Sequence, residues 1–308
     1  MTQNVLVIGY GSIGRRHASL AMEMGLGVGV VSRHAENCAF PCWRSLEEVP
    51  LGDFDIAIVA SATSLHADHL ASLAGLGFSG TVMVEKPLFQ DASHTAPGPD
   101  TFVGYNLRFH PIIRDIRRMI GDSPVLSIQA YAGQYLPTWR PGTDYAASYS
   151  ASRARGGGVL RDLSHELDLV QHIAGPWTKA TASGGKYSTL AGDSDDVFLL
   201  LMECSRCPAV SIQLNYLDKA PHRHMLVNTE ESTFMADLIG QTLTVNDGTP
   251  VTYTCERNMT YAAQLRALCE GERDTICSYS QGMQTVFLME AAEKAARERV
   301  WIHMEHPR

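Results

Sequence analysis

The sequence predicts an α/β chain in two domains. Residues 1–120 form a doubly wound parallel sheet, and residues 121–308 form an α+β domain on a mostly antiparallel sheet. Three observations predict this. Residues 5–8 (Val-Leu-Val-Ile), the turn Gly9-Tyr10-Gly11-Ser12-Ile13-Gly14 and residues 15–24 read as buried strand, tight turn and helix. Strand and helix patterns then alternate through the first third of the chain. Past residue 120 several β-rich runs follow one another, some separated by turn signals such as Asn246-Asp247-Gly248.

Taken in order, the second strand is Gly27-Val28-Gly29-Val30-Val31. Residues 54–60 read as a buried strand, 64–74 as a helix, 81–84 as a strand and 101–103 as the last strand of the first domain. Between them Pro97, Gly98 and Pro99 argue against a full helix over 91–100. In the second domain, residues 125–134, 197–204, 209–217, 225–229, 242–245 and 251–255 read as strands. One strong helix is expected over 158–174, and two more over 259–270 and 281–299. The chain shows no internal repeat and no low-complexity segment.

Composition bounds the function. The 308 residues are 45% apolar and 19% charged, as a soluble globular chain should be, and can bury large cores. A net charge of −8 argues against nucleic acid or an anionic membrane as partner. No apolar run approaches the ~18 residues of a membrane span. A strand starting near residue 4 leaves no room for a signal peptide. The seven cysteines are scattered, so reduced thiols and a cytoplasmic location are expected. Cys204-Ser205-Arg206-Cys207, followed by Pro208 between two strand-like runs, reads as a hairpin turn rather than a metal or redox site. No metal-ligand spacing appears among the twelve histidines.

The glycine turn carries the first functional reading. Gly9 allows the tight turn, Gly11 lets the backbone approach a pyrophosphate, and Gly14 lets helix and strand pack closely. The helix start at Ser12 and Ile13 offers free N–H groups and a partial positive charge to phosphates. The alternative is a glycine-rich turn that binds nothing. An NAD site carries an acidic residue roughly 20 positions past the glycines. Here the second strand ends in Ser32-Arg33, and no carboxylate follows until Glu36. Serine and arginine can hydrogen-bond a 2′-phosphate that a carboxylate would repel, which favours NADP, with NAD the alternative. Arg33 could instead stack on adenine or point to water.

Four further clusters bear chemistry. Ala60-Ser61-Ala62-Thr63-Ser64-Leu65-His66 and Glu85-Lys86-Pro87 follow strands, where ligands bind in open α/β sheets. The others are Tyr105-Asn106-Leu107-Arg108-Phe109-His110-Pro111 and residues 156–168. On a continuous helix Asp162, His165, Asp168 and His172 fall along one side, and Leu160, Leu163, Leu167 and Val170 along another. Periodicity alone favours a solvated polar face. A His–carboxylate pair three residues apart also suits proton transfer, because the acid fixes the imidazole tautomer.

Together G-x-G-x-x-G, S-A-T-S-L-H, E-K-P, Y-x-x-R-F-x-P and G-G-G-x-L-x-D-x-x-H resemble the glucose–fructose oxidoreductase and inositol dehydrogenase family (Gfo/Idh/MocA). The motifs stand in the family's order over residues 9–168. The resemblance implies a Rossmann domain followed by a domain with a large open sheet. It implies hydride transfer between nicotinamide and a carbinol of a sugar, sugar acid, inositol or nucleotide sugar. It also implies a homodimer or homotetramer, in keeping with an antiparallel sheet that leaves one face bare. The implied cofactor contacts are Gly9, Gly11, Ser12, Ile13, Gly14, Ser32, Arg33, Ser61, Ala62, Thr63, His66, Glu85, Lys86 and Asn106. Lys86 matches the family's lysine beside the reacting hydroxyl, and Asp162 and His165 match its helix dyad. His165 is then the proton carrier, oriented by Asp162, and Lys86 stabilises charge on the reacting oxygen; the two roles could be exchanged.

Substrate contacts are expected from Tyr105, Arg108, Trp139, Arg140, Tyr149 and His165. Residues 137–145, with Tyr149, Arg153 and Arg155, resemble loops of members tied to surface-glycan pathways; an ordered crossover loop is the alternative. The chain departs from the family in three places. Ser61-Ala62 replaces a threonine-proline step. His165 stands three rather than four residues after Asp162, a shift of ~100° around a helix. The stretch between Lys86 and Tyr105 is short, so a helix many members have there is expected to be missing. Two other functions fit the same motifs: a cofactor-binding sensor, and an enzyme that recycles bound cofactor internally. The presence of Lys86 and His165 speaks against the first, and a cofactor that is never consumed would point to the second.

Overall fold

The computed structural model describes residues 3–33, 38–94 and 100–304. The chain forms two units: Met1–Phe109 with Glu256–Met283, and His110–Cys255 with Gln284–Arg308. The single cut expected near residue 120 is therefore corrected. The first unit ends earlier and takes back a later segment. The reason lies in its core, where Leu265, Ala267 and Leu268 of helix Met259–Glu270 pack with Val5, Val7, Ala18, Leu20, Ile56 and Met83. An amphipathic helix does not record in its sequence which sheet it will cover.

The first unit is built on β1 (Asn4–Ile8), α1 (Ser12–Glu23), β2 (Gly27–Val31), β3 (Cys42–Trp43), β4 (Ile56–Val59), α2 (His66–Gly75), β5 (Thr81–Val84) and β6 (Thr101–Val103). Its sheet runs β3-β2-β1-β4-β5-β6 in parallel, and strand Cys277–Ser278 adds to β6 antiparallel. This is the doubly wound order, with its switch point between β1 and β4. The strands read as continuous apolar runs because both faces are covered: Val5, Leu6, Val7 and Ile8 are all buried. Residues 86–94 contain no helix, as expected; the rest of that expectation, like Glu36, lies outside the described residues.

The second unit holds α3 (Pro111–Ile120), β7 (Val125–Gly133), α4 (Val159–Asp162), α5 (His165–Ala174), β8 (Trp177–Gly185), β9 (Val197–Cys204), β10 (Cys207–Asn215), β11 (His222–Thr229), β12 (Thr233–Asp237), β13 (Thr242–Val245) and β14 (Val251–Thr252). Its sheet runs β14-β13-β12-β11-β7-β10-β9-β8, closed at the edge by Ile302–His303. β7 and β10 pair in parallel and the other neighbours antiparallel. Along β9 Phe198, Leu200 and Met202 are buried while Leu199 and Leu201 face out. α4 and α5 pack on the inner face. Cys204 and Cys207 pair across the β9–β10 turn, which is the hairpin expected there. β8 and β12 escaped the sequence reading, β8 because Trp177, Ala180 and Ala182 stand among polar residues and glycines, and β12 because it is only five residues long.

The single helix expected over 158–174 is corrected: α4 ends at Asp162 and α5 begins at His165. Two tertiary bonds hold α4 in place. The Leu160 N–H donates to Asp195 Oδ2 at 3.1 Å, and Tyr216 Oη donates to Asp162 Oδ2 at 2.6 Å. Leu163 leaves helical geometry at φ −98°, ψ 29°. Among the described residues no helix is long and apolar enough to cross a membrane.

Candidate active site

In the first unit the glycines divide the work as the spacing implies. Gly9 has φ +97°, and a Cβ there would stand 2.7 Å from the Ser61 nitrogen. A Cβ at Gly14 would stand 1.9 Å from the Gly9 carbonyl oxygen. A Cβ at Gly11 would meet no described atom within 4 Å. The turn is thus closed on its protein side at Gly9 and Gly14 and open above Gly11. Gly11 caps α1 without a side-chain bond, and the first turn of α1 carries no acidic residue. No acidic side chain of that turn competes for its N–H groups, which fit a pyrophosphate. A dinucleotide fits the geometry of this turn.

The neighbouring strand ends complete the cradle. Ile8 pairs with Val31 on one side and Val59 on the other, and Val59 pairs with Val84. At ~4.8 Å between strands, Gly9 and Glu85 lie about 10 Å apart, within the span of a dinucleotide. Ser32, half-buried, and Arg33, exposed, follow β2. Ser61 and Thr63 are half-buried and Ala62 is exposed. Lys86 is half-buried, and its peptide to Pro87 is cis.

Several expected contacts turn out to hold the cradle together. His66 is buried with Nδ1 3.1 Å from the Leu88 carbonyl and Nε2 3.3 Å from the Ser61 carbonyl, so it ties the two loops. Burial pushes its pKa down. Glu85 is turned inward, with Oε1 2.7 Å from His17 Nε2, while the Lys86 N–H donates to Oε2 at 3.2 Å. Asn106 is buried and donates from Nδ2 to Thr260 Oγ1 at 2.6 Å. Arg108 and Tyr105 are fully buried, and Arg108 Nη1 donates to Gln281 Oε1 at 2.8 Å. Asn106, Tyr105 and Arg108 are thus buried in this unit, where their bonds brace its framework.

In the second unit the structure gathers Asp162, Trp139, Arg140 and Tyr149. Buried Asp162 accepts from Tyr216, and Tyr149 also hydrogen-bonds it. Burial first, and the Asp162 charge second, push both phenols well up, so both tyrosines stay protonated donors. Trp139 meets Tyr216 edge to face at 5.2 Å, and the Arg140 guanidinium lies 5.7 Å over the Tyr149 ring. His165 opens α5 and is half-buried. Asp162, Asp168 and His172 are buried, so the solvated-face reading does not hold. His172 Nε2 stands 2.9 Å from Arg117 Nη1; the guanidinium must donate, so that nitrogen is the acceptor.

Three residues were not anticipated: His17, His69 and Tyr216. His17 and Tyr216 reach their partners across 68 and 54 residues, which no local pattern records. His69 stands one turn after His66, with Nδ1 3.0 Å from Ser61 Oγ.

Comparisons with known proteins agree with this geometry. The model of the oxidoreductase family with NAD-binding Rossmann fold matches residues 3–96. No curated protein matches the chain. Among solved structures the chain resembles levoglucosan dehydrogenase in complex with NADH, at 16% identity and TM-score 0.84 over 100% of both chains. It resembles GenD2 from gentamicin A biosynthesis in complex with NAD, at 21% identity and TM-score 0.81 over 99% of this chain and 97% of that one. It also resembles a myo-inositol dehydrogenase from Corynebacterium glutamicum ATCC 13032, at 19% identity and TM-score 0.79 over 100% of both. At these identities the likeness establishes the fold. The glycine turn and the doubly wound strand order of the first unit are those of the NAD-binding Rossmann fold that this oxidoreductase family model describes over residues 3–96.

Proposed function

We propose that the chain is an NADP(H)-preferring oxidoreductase acting on a carbinol of a sugar, sugar acid or nucleotide sugar, and that it works as a homo-oligomer. The observation that carries the reading is the open Gly11 turn on the same strand-end row as Lys86, with Ser32-Arg33 in place of an acidic residue after β2. Two of the similar solved structures, a levoglucosan dehydrogenase and a myo-inositol dehydrogenase, support the substrate class.

When bound, the nicotinamide supplies the hydride acceptor or donor. The chain's part is position and charge. The α1 N–H groups would hold pyrophosphate oxygens, and Arg33 with Ser32 would hold a 2′-phosphate. The Lys86 ammonium donates to the reacting oxygen and stabilises negative charge developing on it. In the second unit His165 carries the proton, and Asp162, fixed by its two tyrosines, supplies a negative charge that favours the imidazolium. Trp139, Arg140 and Tyr149 offer stacking faces and donors suited to sugar hydroxyls.

Two measurements test this. Fluorescence titration should give tighter binding of NADP(H) than NAD(H), with the preference lost in Arg33→Ala. A screen of sugars, sugar acids and nucleotide sugars with both cofactors should find one class that changes absorbance at 340 nm. A preference for NAD(H) in the unmodified protein overturns the cofactor reading. A substrate converted while bound cofactor shows no net change overturns the dehydrogenase reading.

A further inference from the structure

Ser32-Arg33 after β2 and Ser61 after β4 stand on opposite sides of the glycine turn, because β2 and β4 both pair with β1. Their strand ends are about 10 Å apart. An imidazole from α2 is tied to the β4 side of this space. His69 is half-buried, and its Nδ1 lies 3.0 Å from Ser61 Oγ, which fixes the ring. With Nδ1 taken by the hydroxyl, Nε2 forms the opposite edge of the ring. The groups acting on it come from three elements: Arg33 after β2, Ser61 after β4, and His66 and Asp68 on α2 itself. Burial, His66 and Arg33 all disfavour a positive charge on the ring, and Asp68 opposes them only in part, so the pKa lies below the ordinary histidine value. The Arg33 guanidinium thus stands near enough for its charge to be felt at the imidazole. A guanidinium after β2 and an imidazole N–H anchored beside the end of β4 are both donors suited to an anion.

We propose that His69 is, with Arg33, a second recognition residue for the 2′-phosphate on the adenosine half of the cofactor. This rests on the NADP reading above and deepens it. A phosphate dianion between the two accepts from the Arg33 guanidinium and from Nε2–H. It also draws a proton onto the ring. Affinity for 2′-phosphorylated ligands therefore rises as pH falls from 8.5 to 6.5. Near pH 6 the phosphate itself begins to lose charge, which sets the lower limit. NAD, lacking the phosphate, gains nothing from this proton.

The test uses the full chain, two adenosine-half probes and no turnover. Adenosine 2′,5′-bisphosphate and 5′-AMP are titrated calorimetrically at pH 6.5 and 8.5, in two buffers of different ionisation enthalpy. The unmodified protein should bind the bisphosphate about tenfold more tightly than AMP. The gap should widen at pH 6.5, with net proton uptake. His69→Leu should weaken the bisphosphate about tenfold, leave AMP unchanged and abolish the uptake beyond that of the phosphate itself. His69→Gln, which keeps a polar partner for Ser61, guards against a folding defect and should lose the pH dependence likewise. Equal losses for both probes, or a pH dependence that survives in both variants, would overturn the inference. A preference that needs Arg33 and ignores His69 overturns this inference alone. No preference in the unmodified protein overturns the NADP reading with it.

Discussion

His17 on α1 and Glu85 at the end of β5 meet at 2.7 Å between Nε2 and Oε1, both buried, and so pin the helix of the glycine turn to the strand that carries Lys86. Tyr261 packs edge-on against the His17 ring at 5.6 Å. Burial alone would raise the Glu85 carboxyl. The hydrogen bond and charge of His17, helped by Lys86, outweigh it and hold the pKa below the ordinary carboxylate value.

Removing one partner of this pair leaves a buried polar group uncompensated. Glu85→Gln and His17→Phe should each cost about 3–5 kcal/mol, and the double variant less than their sum. Urea unfolding of the four proteins checks the coupling. The sign with pH follows from the depressed carboxyl. Its contribution is full above the unfolded value of 4.5 and is lost as pH falls through the lower folded value. Glu85→Gln should therefore flatten the acid limb of the stability curve.

The three glycines separate folding from binding. Gly14→Ala puts a methyl 1.9 Å from the Gly9 carbonyl oxygen, and Gly9→Ala adds backbone strain at φ +97° to a clash with residues 60–61. Both should lower thermal stability by several degrees. Gly11 has φ −74° and open space around a Cβ. Gly11→Ala should fold normally and lose at least tenfold in cofactor affinity, since its methyl occupies the pyrophosphate approach. Equal stability losses in all three variants would show that the turn is only a packing device.

What could be read without coordinates was local. The turn was legible because strand, glycines and helix are contiguous, and Gly9, Gly11 and Gly14 each do one job. The alternation in β9 and β10 was legible for the same reason. Partnership across the chain was not. Nothing near Asp162 announces Tyr216, and nothing near Glu85 announces His17. Residues 158–174 keep helical periodicity throughout, yet the Leu160–Asp195 and Asp162–Tyr216 bonds hold α4 apart from α5. Tertiary bonds there outweigh a pattern that propensity alone would continue. α3 was not among the expected helices, although Pro111 stands in its first turn and His110 Nδ1 accepts from the Ile112 N–H at 3.3 Å.

Lys86 and His165 should matter for turnover and little for folding. Each is half-buried, so its removal opens no large cavity. A positioned acid or base is worth ~10²–10⁴-fold in rate, and Lys86→Ala and His165→Ala should each lose about that much in kcat. Circular dichroism and the dissociation constant of NADP(H) should change little. Near-normal turnover in His165→Ala would leave Lys86 as the proton carrier. Tyr216→Phe leaves Asp162 one donor short and should shift the pH profile of kcat/KM while its circular dichroism stays unchanged.

The outward face of the second sheet should hold two copies of the chain together. Alternation along β9 and β12 leaves Leu199, Leu201 and Met235 exposed at 43%, 55% and 54%. They line a groove of about 1000 Å³ with Leu226, Thr181 and Ser211. An antiparallel sheet buries one face on its own helices, and a bare face with this much apolar side chain favours association. In a two-fold arrangement each patch meets its own copy, so a charge placed there faces itself. Leu201→Lys with Met235→Lys should therefore split the oligomer. Because both side chains already point to solvent, each substitution should cost the isolated subunit less than about 0.5 kcal/mol. Light scattering at micromolar concentration should show a dimer or tetramer for the unmodified protein and a monomer for the double variant. An unmodified protein that is monomeric there, or a double variant that keeps its oligomeric mass, would place the contact elsewhere or remove it.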